Sequence, residues 1–354
     1  MENDLLLQKA LRSFLEGYKL DTQSRIAIAL SGGPDSMALA HALCNVADQK
    51  NIIIHAFIVD HNLRDNSAAE AAHVANIVDS FPRLNVHILT RSKQQKGAAR
   101  LQETARDDRY ALLESACIER DIQHLFLAHH QDDQAETFLF RLAKGSGLDG
   151  LGGIKPKQKR GALYLCRPFL DISKTELLEY CARNNVPFVT DPSNEDDQFA
   201  RVRLRQARAV LEEEGLSAKR LSVTARRLQR AQSALHVMAA QAFERARTRN
   251  KAEENDSKRL SLSLDELSAQ PDEIRLRVIQ MAMDELQASS LVDDVKKTGS
   301  YGPRLERVED LCEALFSQAT FKRRSLGGML FSKDVAKRLI IVELERKDAK
   351  LESS

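Results

Sequence analysis

The run Arg25-Ile-Ala-Ile-Ala-Leu-Ser-Gly-Gly-Pro-Asp-Ser36 constrains this chain more than any other. Its first half is short and apolar, the mark of a buried strand. Its second half breaks into Ser31, Gly32, Gly33, Pro34, Asp35 and Ser36, and helical spacing resumes at Met37. A strand, a glycine turn and a helix start, in that order, put the turn at the positive end of a helix dipole. Gly32 and Gly33 let successive backbone N–H groups converge, and Ser31 and Ser36 add hydroxyl donors. Together they fit the phosphates of a nucleotide. A Walker loop follows its last glycine with Lys, and none stands here, which disfavours an ordinary P-loop ATPase or kinase. The plainer alternative is a turn that needs two glycines and binds nothing.

The same alternation recurs. Residues 25–30, 52–59, 84–89 and 124–128 are short apolar runs, each followed by helical periodicity. This predicts an α/β fold with a parallel sheet and helices on both faces. Ligands in such sheets gather outside the carboxyl ends of the strands, and those ends deliver Ser31-Gly32-Gly33, Asp60-His61-Asn62 and His129-His130-Gln131. A Gly-rich passage, 145–153, is either a mobile loop over that edge or a connector. The turn-rich stretch Thr190 to Asp197 leads into Phe199-Ala-Arg-Val-Arg-Leu-Arg205, and the first domain is placed at residues 1–215. Residues 216–354 are expected to be mainly helical. A polar break from Asn250 to Arg259 precedes a helical segment to about 317, and Phe321 to Phe331 with Leu339 to Glu343 reads as a small β-hairpin.

With 53 basic and 51 acidic residues in 354, the chain is not a strongly basic chromatin-type protein. The charge is local: residues 217–249 hold Lys219, Arg220, Arg226, Arg227, Arg230, Arg245, Arg247 and Arg249 against Glu244, a balance of +7. Five scattered cysteines form no metal knuckle or redox pair and suit a reducing compartment. No apolar run approaches a membrane span, and Glu2 and Asp4 stand where a signal peptide is positive, so the expected setting is cytoplasmic. The spacing of Leu7, Leu11, Phe14 and Leu15 predicts a core-packing helix.

In Ala128-His-His-Gln-Asp-Asp-Gln-Ala-Glu-Thr137, Asp133 and Glu136 are three apart at a helix start and can face one way. Such a pair suits an ammonium or a divalent cation. The histidines do not have the four-residue spacing of a zinc helix. The alternative is that Asp132 and Asp133 only cap the helix. Arg201 and Arg205, four apart, suit a phosphate or a solvated basic face.

Taken together, these blocks resemble the PP-loop ATP pyrophosphatases. The resemblance covers residues 23–208. It includes Ser31 to Ser36, Val59-Asp-His-Asn-Leu-Arg64 with Ser67 and Glu70, Ala128 to Thr137, Arg141 to Gly147, Arg167-Pro-Phe-Leu170, Asp191-Pro-Ser-Asn194 and Arg201 to Arg205. It implies an adenine-nucleotide alpha-hydrolase-like fold. Within the family, the blocks are similar to those of the branch that attaches free L-lysine to C2 of the wobble cytidine in a CAU-anticodon tRNA(Ile). The implied reaction spends ATP to adenylate the cytidine oxygen, and releases AMP and diphosphate. By the same resemblance, Ser31, Gly32, Gly33, Pro34, Asp35, Ser36 and His129 bind ATP, and Asp35 anchors Mg²⁺. Asp133 and Glu136 bind lysine, and Asp35, Asp133, Glu136 and Arg205 are catalytic. Arg201 and Arg205 hold the α-phosphate or the tRNA backbone.

The sequence departs from the pattern at Val202, where the family has Asn, and lacks the Pro usual near Leu211. Its C-terminal part matches weakly, with Leu326-Gly-Gly328 as the best anchor. Charge alone assigns tRNA docking to Arg226, Arg227 and Arg230. The expected partners are the tRNA and free lysine, with no membrane and with a homodimer left open. Three rivals stand beside this reading. One is cytidine 2-thiolation, which normally needs paired cysteines where this chain has no Cys-x-x-Cys; another is glutamine-dependent amidation, for which no glutaminase motif is seen; the third is an ATP-gated tRNA-binding protein without a covalent product.

Overall fold

The computed structural model describes residues 2–20, 25–60, 62, 66–91, 101–189, 207–248, 258–290, 303–317 and 321–345. Two compact units divide the chain, residues 1–229 and 230–354.

The first unit is the expected α/β layer structure. Strands β1 (Arg25–Ala29), β2 (Ile53–Asp60), β3 (Leu84–Thr90), β4 (His124–Phe126), β5 (Lys157–Arg160) and β6 (Leu163–Cys166) form one sheet in the order β3-β2-β1-β4-β6-β5. All neighbours are parallel except the edge hairpin β5–β6. The alternation in β1 explains its central place. Ile26 and Ile28 join the core cluster on one face, Ala27 and Ala29 the cluster on the other, and all four are buried. A strand apolar on both sides is stable only between two layers of helix.

Helices α1 (Glu2–Gly17), α2 (Pro34–Lys50), α3 (Ser67–Val78) and α7 (Lys174–Arg183) supply the first face. Leu7, Leu11, Phe14 and Leu15 of α1 are buried there, as their spacing predicts. Helix α4 (Leu101–Ile118) covers the other face with Leu113, Ala116 and Cys117. Between β4 and β5 run α5 (Gln131–Ala143) and the single turn α6 (Leu148–Leu151). The order reverses between β1 and β4, the switch point at which ligands of such sheets bind.

The second unit packs helices Asp272–Ser290 and Leu305–Ser317 on a four-stranded antiparallel sheet in the order β7 (Arg259–Ser263), β10 (Leu339–Leu344), β9 (Met329–Asp334), β8 (Arg324–Leu326). The expected terminal hairpin is present as β8 (Arg324–Leu326) and β9 (Met329–Asp334), joined through Gly327 and Gly328 at φ 62° and 79°. Two successive positive φ angles make a tight hairpin turn that glycine takes without strain. The sheet is larger than the sequence reading had it. Arg259–Ser263, where the polar break gives way to the expected helical segment, is instead β7 and pairs with β10 (Leu339–Leu344), the second run of the expected β element. Leu260 and Leu262 alternate with serines and point into the core, a two-residue period hidden by the helices that follow. Among the described residues no helix is long and apolar enough to cross a membrane.

Candidate active site

Three helix starts meet at the carboxyl ends of β1, β4 and β6: α2 at Pro34, α5 at Gln131 and α7 at Lys174. Each start is built differently, and the differences set the charge of the site.

After β1, Gly32 stands at φ 83°, and a Cβ there would run into Val74 Cγ2 of α3. Conformation and space therefore both require glycine. The Ser36 hydroxyl organises the loop: it accepts the Ser31 N–H at 3.2 Å, donates to the Gly33 carbonyl at 3.0 Å and lies 3.1 Å from the Ser31 hydroxyl. Gly33 is the N-cap of α2, with no side-chain cap, and Pro34 opens the helix where a missing N–H costs nothing. The first N–H groups of a helix lack intrahelical acceptors, so this end presents donors and positive potential to an anion.

After β4 the start is closed by side chains. His130 caps α5, its Nδ1 accepting the Asp132 N–H at 3.2 Å, and the Asp133 carboxylate reaches back to the His130 N–H at 3.0 Å. Asp133 thus performs the capping weighed in the sequence, while its partner in the cap is His130 and not Asp132. His130 is buried, with Nε2 3.7 Å from Asp35 Oδ2 and 3.5 Å from Asp133 Oδ2. Burial disfavours the imidazolium, but the Asp132 hydrogen bond and the charges of Asp133, Asp35 and Asp132 outweigh it and raise the His130 pKa above its ordinary value. Protonation at Nδ1 would exchange the Asp132 N–H for the Asp132 carboxylate, 3.5 Å away.

The third start brings a residue that the sequence reading passed over. The Lys174 ammonium lies 2.7 Å from each carboxylate oxygen of Asp35, and its backbone N–H donates to Asp132 Oδ2 at 2.9 Å. Ser173 and Glu176 form a capping box around it. The Ser-x-x-Glu signature of that box was legible and places Lys174 at a helix start. Its approach to Asp35, 139 residues away in sequence, depends on β6 lying beside β4.

The fold therefore brings Ser31, Gly32, Gly33, Pro34, Asp35, Ser36 and Asp133 to one place. Glu136 is half-buried one turn along α5. His129 stands just past β4 with Nδ1 accepting from the buried Arg167 at 3.3 Å. Arg201, Arg205, His61 and the Asp191 to Asn194 block lie outside the described residues. Among the described residues no group of three or more His, Cys, Asp or Glu side chains is set to hold a metal. Asp35 and Asp133, however, direct carboxylate oxygens at the same imidazole nitrogen. Mg²⁺ uses one or two carboxylates with phosphate oxygens and water, and Asp35, beside the glycine loop, fits that requirement.

Helix Ala218–Ala246 begins on α5: Leu221 and Ala225 pack on Ala135 and Phe138, and the Ser222 hydroxyl donates to the Gln131 carbonyl at 3.1 Å. Arg226, Arg227 and Arg230 are exposed on it, and Arg226 pairs with Asp171 at 2.8 Å. The Gly-rich passage is a connector: Arg141 Nη1 donates to the Gly150 and Gly153 carbonyls at 2.7 and 2.9 Å.

A glycine loop opening an uncapped helix at the switch point of a mostly parallel sheet defines a class, and residues 5–213 match the family model of the PP-loop domain. A tRNA(Ile)-lysidine synthase of Methylobacterium sp. (strain 4-46) is 38% identical over 333 residues, covering 92% of this chain and 91% of that protein. The synthase of Methylobacterium nodulans is 40% identical over 81% of this chain and 79% of its own length. The chain belongs to the PP-loop proteins and, within them, to the tRNA(Ile)-lysidine synthase family. Among solved structures, the U34-tRNA thiolase NcsA from Methanococcus maripaludis, with its [4Fe-4S] cluster, shares the fold. Its TM-score is 0.52 at 18% identity, over 63% of this chain and 77% of that one.

Proposed function

We propose that this chain is an ATP-dependent ligase that joins free L-lysine to C2 of the wobble cytidine of a CAU-anticodon tRNA(Ile), so that the anticodon reads AUA in place of AUG. The observation that carries this reading is the likeness to a lysidine synthase over nine-tenths of both chains.

The chemistry follows from the charges at the three helix starts. A cytidine oxygen is a poor leaving group; once its attack on the α-phosphate has made it an adenylate, an amine displaces it as AMP. The open end of α2, with Ser31, Gly32, Gly33 and Ser36, holds the departing diphosphate through N–H and hydroxyl donors that need no rearrangement as charge develops. Asp35 would hold Mg²⁺, which would supply positive charge against that developing on the phosphates. Asp133 and Glu136 receive the cationic end of lysine, and one of them takes the proton of the attacking amine. His129, oriented by Arg167, lies toward the nucleotide. Arg201 and Arg205 hold the α-phosphate or the tRNA backbone.

The functional division falls at residue 215, with 216–354 as the tRNA-binding region and Arg226, Arg227 and Arg230 among its contacts. Lys, ATP and tRNA meet in the cytoplasm, and we place the enzyme there. Cysteine chemistry has no support. Four of the five buried thiols (Cys44, Cys117, Cys166 and Cys312) are pushed up to about 12, chiefly by burial, and Cys181 to about 11. Incubating the full chain with unmodified tRNA(Ile), ATP and labelled lysine tests the reading. Label entering the tRNA only when ATP is present is expected; tRNA left unlabelled under all conditions refutes it.

A further inference from the structure

Lys174 is a residue that the proposed chemistry leaves unused, although it makes one of the shortest contacts in the site. Its ammonium engages both oxygens of Asp35 at 2.7 Å. The surroundings fix where it can go. Its backbone is tied to Asp132 Oδ2, Ser173 and Glu176 frame the helix start, and the next carboxylates inward, Asp132 and Asp133, already serve the capping of α5 and α7. A divalent cation held by Asp35 would draw on the same carboxylate, and two cations on one carboxylate repel each other strongly.

We propose that Lys174 is the exchangeable counter-ion of Asp35. It competes with a divalent cation for that carboxylate, and when metal and nucleotide bind together its ammonium moves to the phosphates at the Ser31 to Ser36 loop. Lys174 is a positioning residue for metal and nucleotide; the exchange makes the metal bind well only in company with the anion it must neutralise. This rests on the ATP-dependent reading of the site.

The test uses the full chain, Mn²⁺ as the metal probe, and binding in place of turnover. Lys174→Met keeps the stem and the backbone N–H to Asp132 while removing the charge. Measured by the loss of the free Mn²⁺ resonance, Mn²⁺ alone is expected to bind this variant about tenfold more tightly than wild type, and Mn²⁺–ATP about tenfold more weakly, a coupling of ordinary size. Lys174→Arg, which restores a cation, should return Mn²⁺–ATP affinity to within about threefold of wild type. Thermal melting controls for folding. Unchanged Mn²⁺ affinity, or an equal weakening of both ligands in a folded Lys174→Met protein, overturns the exchange. Failure of wild type to bind ATP at all would instead overturn the functional reading beneath it.

Discussion

Helices α2 and α5 begin at the carboxyl ends of adjacent parallel strands, β1 and β4, and yet their first turns are finished in opposite ways. The start of α2 is built from glycine and proline, and no side chain caps it. The start of α5 is closed by His130 above and by the Asp133 carboxylate from within, with Asp132 beside them. The first leaves its N–H groups for an anion. The second has spent them and shows negative charge outward. On the proposed reading, one geometry thus yields both an anion receptor and a cation receptor a few ångströms apart, joined by His130 and Lys174 against Asp35. An enzyme that splits a triphosphate and receives a cationic amino acid needs both.

The comparison breaks most violently at Gly32. Gly32→Ala forces a Cβ against Val74 at a positive φ, and should cost about 2–4 kcal/mol of stability along with most ATP affinity. Gly33→Ala, at φ −70° with only the Ser31 hydroxyl 3.7 Å away, should cost no more than about 1 kcal/mol. Denaturant unfolding of the two variants distinguishes a loop that must be glycine from one that merely is; equal losses would contradict the account.

On the α5 side, Asp133→Asn and Glu136→Gln should each raise the lysine concentration needed for half-maximal turnover about 10- to 100-fold, the worth of a charge-assisted hydrogen bond, and leave ATP binding as it was. An Asn still accepts the His130 N–H, so the cap survives and loss of charge is what the experiment reads. Normal lysine use by both variants would leave Asp133 with capping alone. Further out, reversing Arg226, Arg227 and Arg230 to Glu should weaken tRNA binding about tenfold and reduce the slope of log K against log salt by about 2. Arg226 contributes least to that figure because Asp171 already holds it. Binding measured between low and moderate salt decides the point, and an unchanged slope removes this helix from the interface.

The smallest effect sets the two strands apart. β1 is apolar beyond its exposed first residue, whereas β4 opens with the buried His124, stacked on Tyr164, whose Nδ1 has no hydrogen-bond partner. Burial, aided by Lys157, lowers His124 from 6.5 to about 4. Between those values the unfolded chain binds a proton that the folded chain refuses. Stability is therefore complete above about pH 6.5, drains away as pH falls toward 4, and loses nothing more to this group below that. The loss from pH 7 to 5 is about 1–2 kcal/mol. His124→Phe should flatten that part of the melting-temperature profile; an unaltered profile would show that His124 does not carry it.

Much of the anion receptor was legible in the sequence because it is local: glycine, proline and serine declare a turn and its donors within six residues. The cation receptor was half legible. Asp133 and Glu136 stand out by spacing, but histidine is not an expected cap, and nothing nearby announces that His130 will take that place. Lys174 was hidden for a different reason. Its neighbours declare a helix start, while its partner is settled by the order of strands in the sheet. β7 was missed because a five-residue alternation between helices carries too little signal to outweigh its polar flank.

The central claim is that ATP is spent on the RNA base and not on the amino acid. Incubating the enzyme with tRNA(Ile) and ATP labelled at the α-phosphate, with lysine withheld, tests it most directly. The account predicts that label accumulates on the tRNA as an adenylate and leaves as AMP when lysine is added. Label that reaches lysine and never the tRNA would contradict it.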